Sequence, residues 1–190
     1  MQHLKLKKIV LVGASTGGPG QIKKIIQSLP ILKNSSVIIA QHMADGFLES
    51  FVLELQKFTP NHILLIEDNT LFEEGKVYLC KHNTTLNIQS LKFKVKKLDD
   101  DSFNPNIDIL FLSMLEIMPR VEILCSILTG IGDDGVKSCR VLKNNGARCM
   151  TESKESAIID GMPNRARELV PNIEVYDMKR VIDEISEFCK

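Results

Sequence analysis

Six short runs rich in Ile, Val and Leu, at 8–13, 36–41, 62–66, 121–128, 147–151 and 173–176, punctuate the 190-residue chain. Each is too short for a helix, and the pattern is that of strands buried on both faces. Between most of them lie helical periods. Residues 20–29 place Ile22, Ile25, Ile26 and Leu29 on one side, and 106–118 do the same with Ile107, Leu110, Phe111, Met114, Leu115 and Met118. Residues 178–189 place Val181, Ile182, Ile185 and Phe188 at helical spacing, as in a packed terminal helix. Strands alternating with helices predict an α/β fold with a mostly parallel sheet covered on both faces. A chain of this length fits a single domain, 1–190.

The middle departs from that rhythm. Lys76–Cys80, Thr84–Gln89 and Leu91–Lys97 are short and alternating, with Lys92, Lys94 and Lys96 on one face and Phe93 and Val95 on the other. They read as a short antiparallel strand pair with one wet face. The lysines run on to Asp99-Asp100-Asp101, which can be a docking patch or a solvated edge guarded against aggregation; commonly such charge guards an edge.

Composition narrows the class. Hydrophobic residues make up 44%, no apolar run approaches the ~18 residues of a membrane span, and residues 1–12 lack the pattern of a secretory signal. The expectation is a soluble, cytoplasmic protein with no direct membrane insertion. Cys80, Cys125, Cys139, Cys149 and Cys189 show no C-x-x-C pairing and read as reduced core thiols, so no metal is expected. Lys+Arg and Asp+Glu are both 24, so no long-range field argues for nucleic acid as a partner.

In an open parallel sheet the ligand crevice lies outside the carboxyl ends of the strands. Three such ends carry reactive groups: Ser15 in Gly13-Ala14-Ser15-Thr16-Gly17, His42 in Gln41-His42-Met43, and the aspartates of Gly130-Ile131-Gly132-Asp133-Asp134-Gly135. A serine hydroxyl is a weak nucleophile until an imidazole takes its proton, and a carboxylate fixes the tautomer of that imidazole. Ser15, His42 and one of Asp133 and Asp134 can fill those roles, while the other aspartate caps a helix. Backbone amides around Thr16–Gly18, among them Thr16 and Gly17, and around Ile131 can form an oxyanion hole, each donor contributing roughly 3 kcal/mol to the barrier. The serine turn reads G-x-S-x-G, but the Ser, His, Asp order differs from that of α/β-hydrolases. Two bland readings compete: a glycine turn cradling a phosphate, and a dinucleotide site. The second fits poorly, because G-x-G-x-x-G is absent and Gln41-His42 stands where an acidic ribose ligand is expected. No cofactor is expected.

Four ordered blocks carry a resemblance: Val12-Gly13-Ala14-Ser15-Thr16-Gly17-Gly18-Pro19, Ala40-Gln41-His42-Met43, Ile127 through Gly135, and Gly161-Met162-Pro163. With Ile107-Asp108-Ile109-Leu110-Phe111 as a weaker fifth, the chain from about residue 8 to the terminal helix resembles the chemotaxis protein-glutamate methylesterases. The resemblance implies a doubly wound α/β domain that releases methanol from glutamate methyl esters on the cytoplasmic helices of methyl-accepting receptors, and deamidates certain receptor glutamines. It places the nucleophile on Ser15, the base on His42 and the orienting carboxylate on Asp134, with Asp133 at a more variable position. Other chemotaxis signalling proteins are further implied partners. In that family a phosphorylatable receiver domain usually precedes the esterase domain, whereas here the matching blocks begin near Met1, which implies activity without phosphorylation control. Ile131 replaces a usual methionine, Leu79-Cys80-Lys81-His82-Asn83 a Pro-Gly segment, Asn104 an arginine, and Lys154 and Asp160 an acid and an aromatic. These changes fall on loops expected to rim the crevice. The alternative they leave is a receptor-binding domain of the same fold with weak or no catalysis.

Overall fold

The computed structural model describes residues 6–97 and 104–190. The strands are β1 (Lys8–Ala14), β2 (Ser35–Gln41), β3 (His62–Ile66), β4 (Lys76–Cys80), β5 (Asn83–Asn87), β6 (Lys92–Lys96), β7 (Glu122–Ile127), β8 (Arg148–Glu152) and β9 (Glu174–Tyr176). The helices are α1 (Gly18–Ser28), α2 (Asp45–Gln56), α3 (Ile107–Ser113), α4 (Val136–Asn144), α5 (Gly161–Leu169) and α6 (Met178–Cys189). Seven strands form one sheet in the order β3-β4-β2-β1-β7-β8-β9, with every pair parallel.

Successive strand residues point to opposite faces, and here both faces are apolar. Ile9, Leu11, Ile38 and Ala40 enter one core with Ile107 and Phe111 of α3, Val136 and Leu142 of α4, and Met162 and Ala166 of α5. Val10, Val12, Val37 and Ile39 enter the other with Ile22 and Ile26 of α1, Leu48 and Leu55 of α2, and Val181 and Ile185 of α6. The unbroken Ile/Val/Leu runs are therefore the sequence trace of a sheet with no solvated face, and the fold is the doubly wound α/β arrangement. Strand order departs from β1 in both directions, toward β2 on one side and β7 on the other. That reversal opens a crevice at the carboxyl ends of β1 and β7, where ligands of such sheets bind.

Two expectations need correction. Lys76–Cys80 does not belong to the wet strand pair: β4 sits between β3 and β2, with Val77, Tyr78, Leu79 and Cys80 all fully buried. Tyr78 disguises this as alternation, yet its hydroxyl is satisfied, donating to the Leu71 carbonyl at 3.0 Å and accepting from the Glu73 amide at 2.9 Å. The antiparallel pair is β5 with β6 alone, and it buries Phe93 while Lys92, Lys94 and Lys96 stay exposed. The helix expected over 106–118 ends at Ser113. Past that point Met114, Leu115, Ile117 and Met118 donate three residues back, a tighter winding that runs into a 3-10 turn at Met118–Arg120. Pro119 has no amide to continue an α-helix, and the tighter turns still bury Met114 and Ile117. The aspartates 99–101 lie outside the described residues.

Candidate active site

β1 ends at Ala14, paired in register with Gln41 of β2, so Ser15 and His42 leave adjacent parallel strands side by side. The pairing continues one step past the strands, with the His42 amide donating to the Ala14 carbonyl at 3.0 Å. On the other flank the Leu128 amide donates to the Gly13 carbonyl at 2.9 Å, and the Ser15 amide donates to the Thr129 carbonyl at 2.9 Å. The serine turn is thus laced to the ends of both neighbours. Ser15 is 9% exposed.

Two glycines let the turn form at this density. Gly17 precedes α1 at φ 86°, the left-handed region that favours glycine. A side chain on Gly18 would collide with the carboxamide of Gln41, which is buried beneath the turn. Gln41 Nε2 donates to the Ser15 carbonyl at 2.9 Å and to the His42 carbonyl at 2.8 Å, bridging the two residues.

The third strand end supplies the carboxylate, and it is Asp134. His42 Nε2 lies 2.8 Å from Asp134 Oδ2. The same oxygen accepts the Ile107 amide at 2.7 Å, and Oδ1 accepts the Asp108 amide at 3.0 Å. One side chain therefore orients the imidazole and caps the first turn of α3. Asp108 returns the contact, its Oδ1 accepting the Ser138 amide in the first turn of α4 at 2.8 Å. The capping aspartate expected at this turn is thus not Asp133, which is exposed. An ionised carboxylate only accepts, so in this pair it is Nε2 that donates.

Thr16 is exposed, Gly17 half-buried and Ile131 64% exposed. No hydrogen bond among the described residues uses the amides of these three. Gly130 lies against the serine: a Cβ there would stand 2.6 Å from Ser15 Cβ and would also strike the Met162 sulfur. The Gly161-Met162-Pro163 block opens α5 at this contact, with the Met162 amide donating to the Gly130 carbonyl at 2.8 Å. The rim carries exposed Ile131 and Ile158. Asp160, at the same rim, is paired with Arg167 at 2.6 Å. Asn83, the first residue of β5, accepts the Asn106 amide at 2.7 Å and so anchors the approach to α3.

Three polar residues at strand ends were not singled out from sequence: Gln41, Thr129 and Glu152. Their signal was a polar side chain closing an otherwise apolar run. Among the described residues, the group spaced to hold a metal is Cys125, Cys139 and Cys149, whose sulfurs lie within 4.8 Å of one another. All three are fully buried in the core. Burial pushes the Cys125 thiol well above its ordinary value, and the Cys149 thiol donates to the Cys139 carbonyl at 3.6 Å.

Fold and site together define a class: doubly wound parallel α/β domains whose central strand ends bring a serine, a histidine and an aspartate to one crevice. Comparison narrows it further. Residues 10–185 match the family described as CheB methylesterase, and the chain belongs to that family. It is 31% identical over 191 residues to protein-glutamate methylesterase/protein-glutamine glutaminase 2 of Carboxydothermus hydrogenoformans, covering 97% of this chain and 54% of that protein. It is 34% identical over 161 residues to protein-glutamate methylesterase/protein-glutamine glutaminase 1 of Saccharophagus degradans, covering 83% of this chain and 44% of that one. The chain thus spans about half the length of these relatives. The crystal structure of the Thermotoga maritima CheB methylesterase catalytic domain superposes with a TM-score of 0.86 at 29% identity, covering 95% of this chain and 98% of that one. Among the described residues no helix is long and apolar enough to cross a membrane.

Proposed function

We propose that residues 1–190 form a single catalytic domain that hydrolyses glutamate 5-O-methyl esters, releasing methanol, and deamidates glutamines on the cytoplasmic domains of chemoreceptors. The observation that carries the reading is the 2.8 Å contact of His42 with Asp134, made where His42 leaves the strand beside the one that ends in Ser15. The activities for which the relatives are named supply the substrate class.

The chemistry follows from the tautomer. With Nε2–H given to Asp134, His42 Nδ1 serves as the base; it takes the proton of Ser15 Oγ as that oxygen attacks the ester carbonyl. Negative charge grows on the carbonyl oxygen, and the Thr16, Gly17 and Ile131 amides are the donors positioned to stabilise it. The tetrahedral intermediate collapses, the C–O bond to the methoxy group breaks, and the imidazolium returns its proton to the departing oxygen as methanol. Water then repeats the sequence on the acyl-serine and frees the glutamate. A glutamine passes through the same acyl-serine with ammonia as the leaving group. The exposed isoleucines on the rim offer apolar contact to a receptor helix.

The experiment is methanol release from a methylated receptor cytoplasmic fragment, with binding measured on the same preparation. Ser15→Ala should bind the fragment and release no methanol above background. Release at the wild-type rate by that variant overturns the serine mechanism, and wild-type binding without turnover identifies a docking domain instead.

A further inference from the structure

We propose that Glu152 is a positioning residue of the site, holding the serine turn and the Gly130–Ile131 turn in place through Thr129. The proposal rests on the esterase reading above. Glu152 closes β8 and is fully buried. Its Oε2 accepts the Thr129 amide at 2.8 Å, and its Oε1 accepts Gln21 Nε2 at 2.7 Å and Ser156 Oγ at 3.1 Å.

Thr129 is the junction that makes this placement consequential. Its carbonyl accepts the Ser15 amide at 2.9 Å, its hydroxyl donates to the Thr16 carbonyl at 2.9 Å, and that hydroxyl accepts the Ile159 amide at 2.8 Å. The nucleophile turn is therefore fastened at two consecutive residues to one threonine. Thr129 also leads directly into Gly130, packed against Ser15, and then Ile131. A carboxylate that fixes the Thr129 amide fixes both the serine and one proposed oxyanion donor.

The choice of residue is costly to stability. The three side-chain and backbone donors to this carboxylate are neutral, and Gln21 Oε1 is buried with no hydrogen-bond partner. Of the charged groups nearby, Arg167 donates to the Glu152 backbone carbonyl and pairs with Asp160, and Asp160 adds like charge. Burial holds the Glu152 carboxyl above its ordinary value. Groups kept at such cost cluster at functional sites. An ionised acceptor also makes a shorter, stronger bond to the Thr129 amide than a neutral one.

Two variants and one titration test the proposal. Glu152→Leu fills the space without an acceptor; kcat for methanol release should fall about 10–100-fold, as when a supporting contact is lost, with KM nearly unchanged. Glu152→Gln keeps a carbonyl for Thr129, and its amide can donate to Ser156 or, after a turn of the Gln21 amide, to Gln21 Oε1. It should recover kcat to within about threefold of wild type, since the acceptor and not its shape is what is restored. In the unaltered protein, the backbone amide resonances of Thr129 and Ser15 should move together as Glu152 titrates, a readout that needs neither turnover nor a stable leucine variant. Wild-type kcat in Glu152→Leu, equal loss in both variants, or a Ser15 resonance that stays fixed while Thr129 moves would each overturn it. Absence of methanol release from the wild-type protein strikes the esterase reading alone, and the paired resonances then decide the positioning role.

Discussion

The turn after β7 and the end of β8 each bury a carboxylate that accepts three hydrogen bonds, yet the two are built for opposite ends. Asp134 accepts from an imidazole and from two amides at the first turn of α3. Its surroundings carry partial positive charge and include a ring able to become a full cation. Glu152 accepts from a carboxamide, a hydroxyl and one strand-end amide, none of which can become charged. In the proposed mechanism the first carboxylate faces a ring that takes up a proton; the second serves geometry. Equal hydrogen-bond counts can thus hide different electrostatics, and the identity of the donors decides what a buried acid is for.

The sharpest way to break this comparison is Asp134→Asn. The shape remains, but an amide can donate toward Nε2 and select the other tautomer; turnover should fall about 10⁴-fold, as it does when a triad aspartate is so replaced. Steady-state methanol release checks it, and a loss under tenfold would place Asp134 outside the proposed mechanism. Asp134→Ala should add a stability loss of about 1–2 kcal/mol by leaving the Ile107 and Asp108 amides at the start of α3 without their acceptor, read by denaturant unfolding. Ser15→Ala touches no cap and should unfold within about 0.5 kcal/mol of wild type.

Glu152→Gln sharpens the other side. The carboxyl is raised above 4.5, so relative to the unfolded chain Glu152 favours folding most below that pH, and the contribution is lost as pH rises through the folded value. A neutral glutamine escapes that loss. The variant should therefore melt above wild type at pH 8, and the gap should close as pH approaches 4.5. A gap that widened on acidification would reverse the assigned sign. The smallest effect belongs to Asp133→Asn, beside Asp134 but exposed: stability should change by less than about 0.5 kcal/mol and turnover should hold, which separates the two neighbouring acids.

Much of this was legible in the sequence because it is written locally. Apolar runs without alternation announce strands buried twice over, and a reactive residue directly after each run lands at the carboxyl edge by topology alone. Ser15 and His42 needed no more than that, and the Asp133-Asp134 turn was placed but not divided by spacing. What separates the two acids is the amides of Ile107 and Asp108, more than two dozen residues earlier in the chain, and no local pattern records that contact. Tyr78 concealed a central strand because its hydroxyl reads as polar until its partners at Leu71 and Glu73 are known. The helix over 106–118 kept its apolar stripe through a change of winding, so periodicity located the buried side chains and missed the break at Ser113. Gln41, Thr129 and Glu152 were hidden for a related reason: a polar residue ending an apolar run can be solvated or can be a clamp, and only the loop packed above it tells which.

The exchange of caps between Asp134 and Asp108 also bears on the order in which the site comes into being. During synthesis Ser15 and His42 emerge early, on strands that can pair as soon as both are made. The imidazole stays without its carboxylate until residue 134 has left the ribosome and the start of α3 has docked against the turn that carries it. A nascent chain or a proteolytic fragment ending before that turn would hold serine and histidine abreast with no Asp134 to orient the ring, so the proposed triad is completed late and all at once.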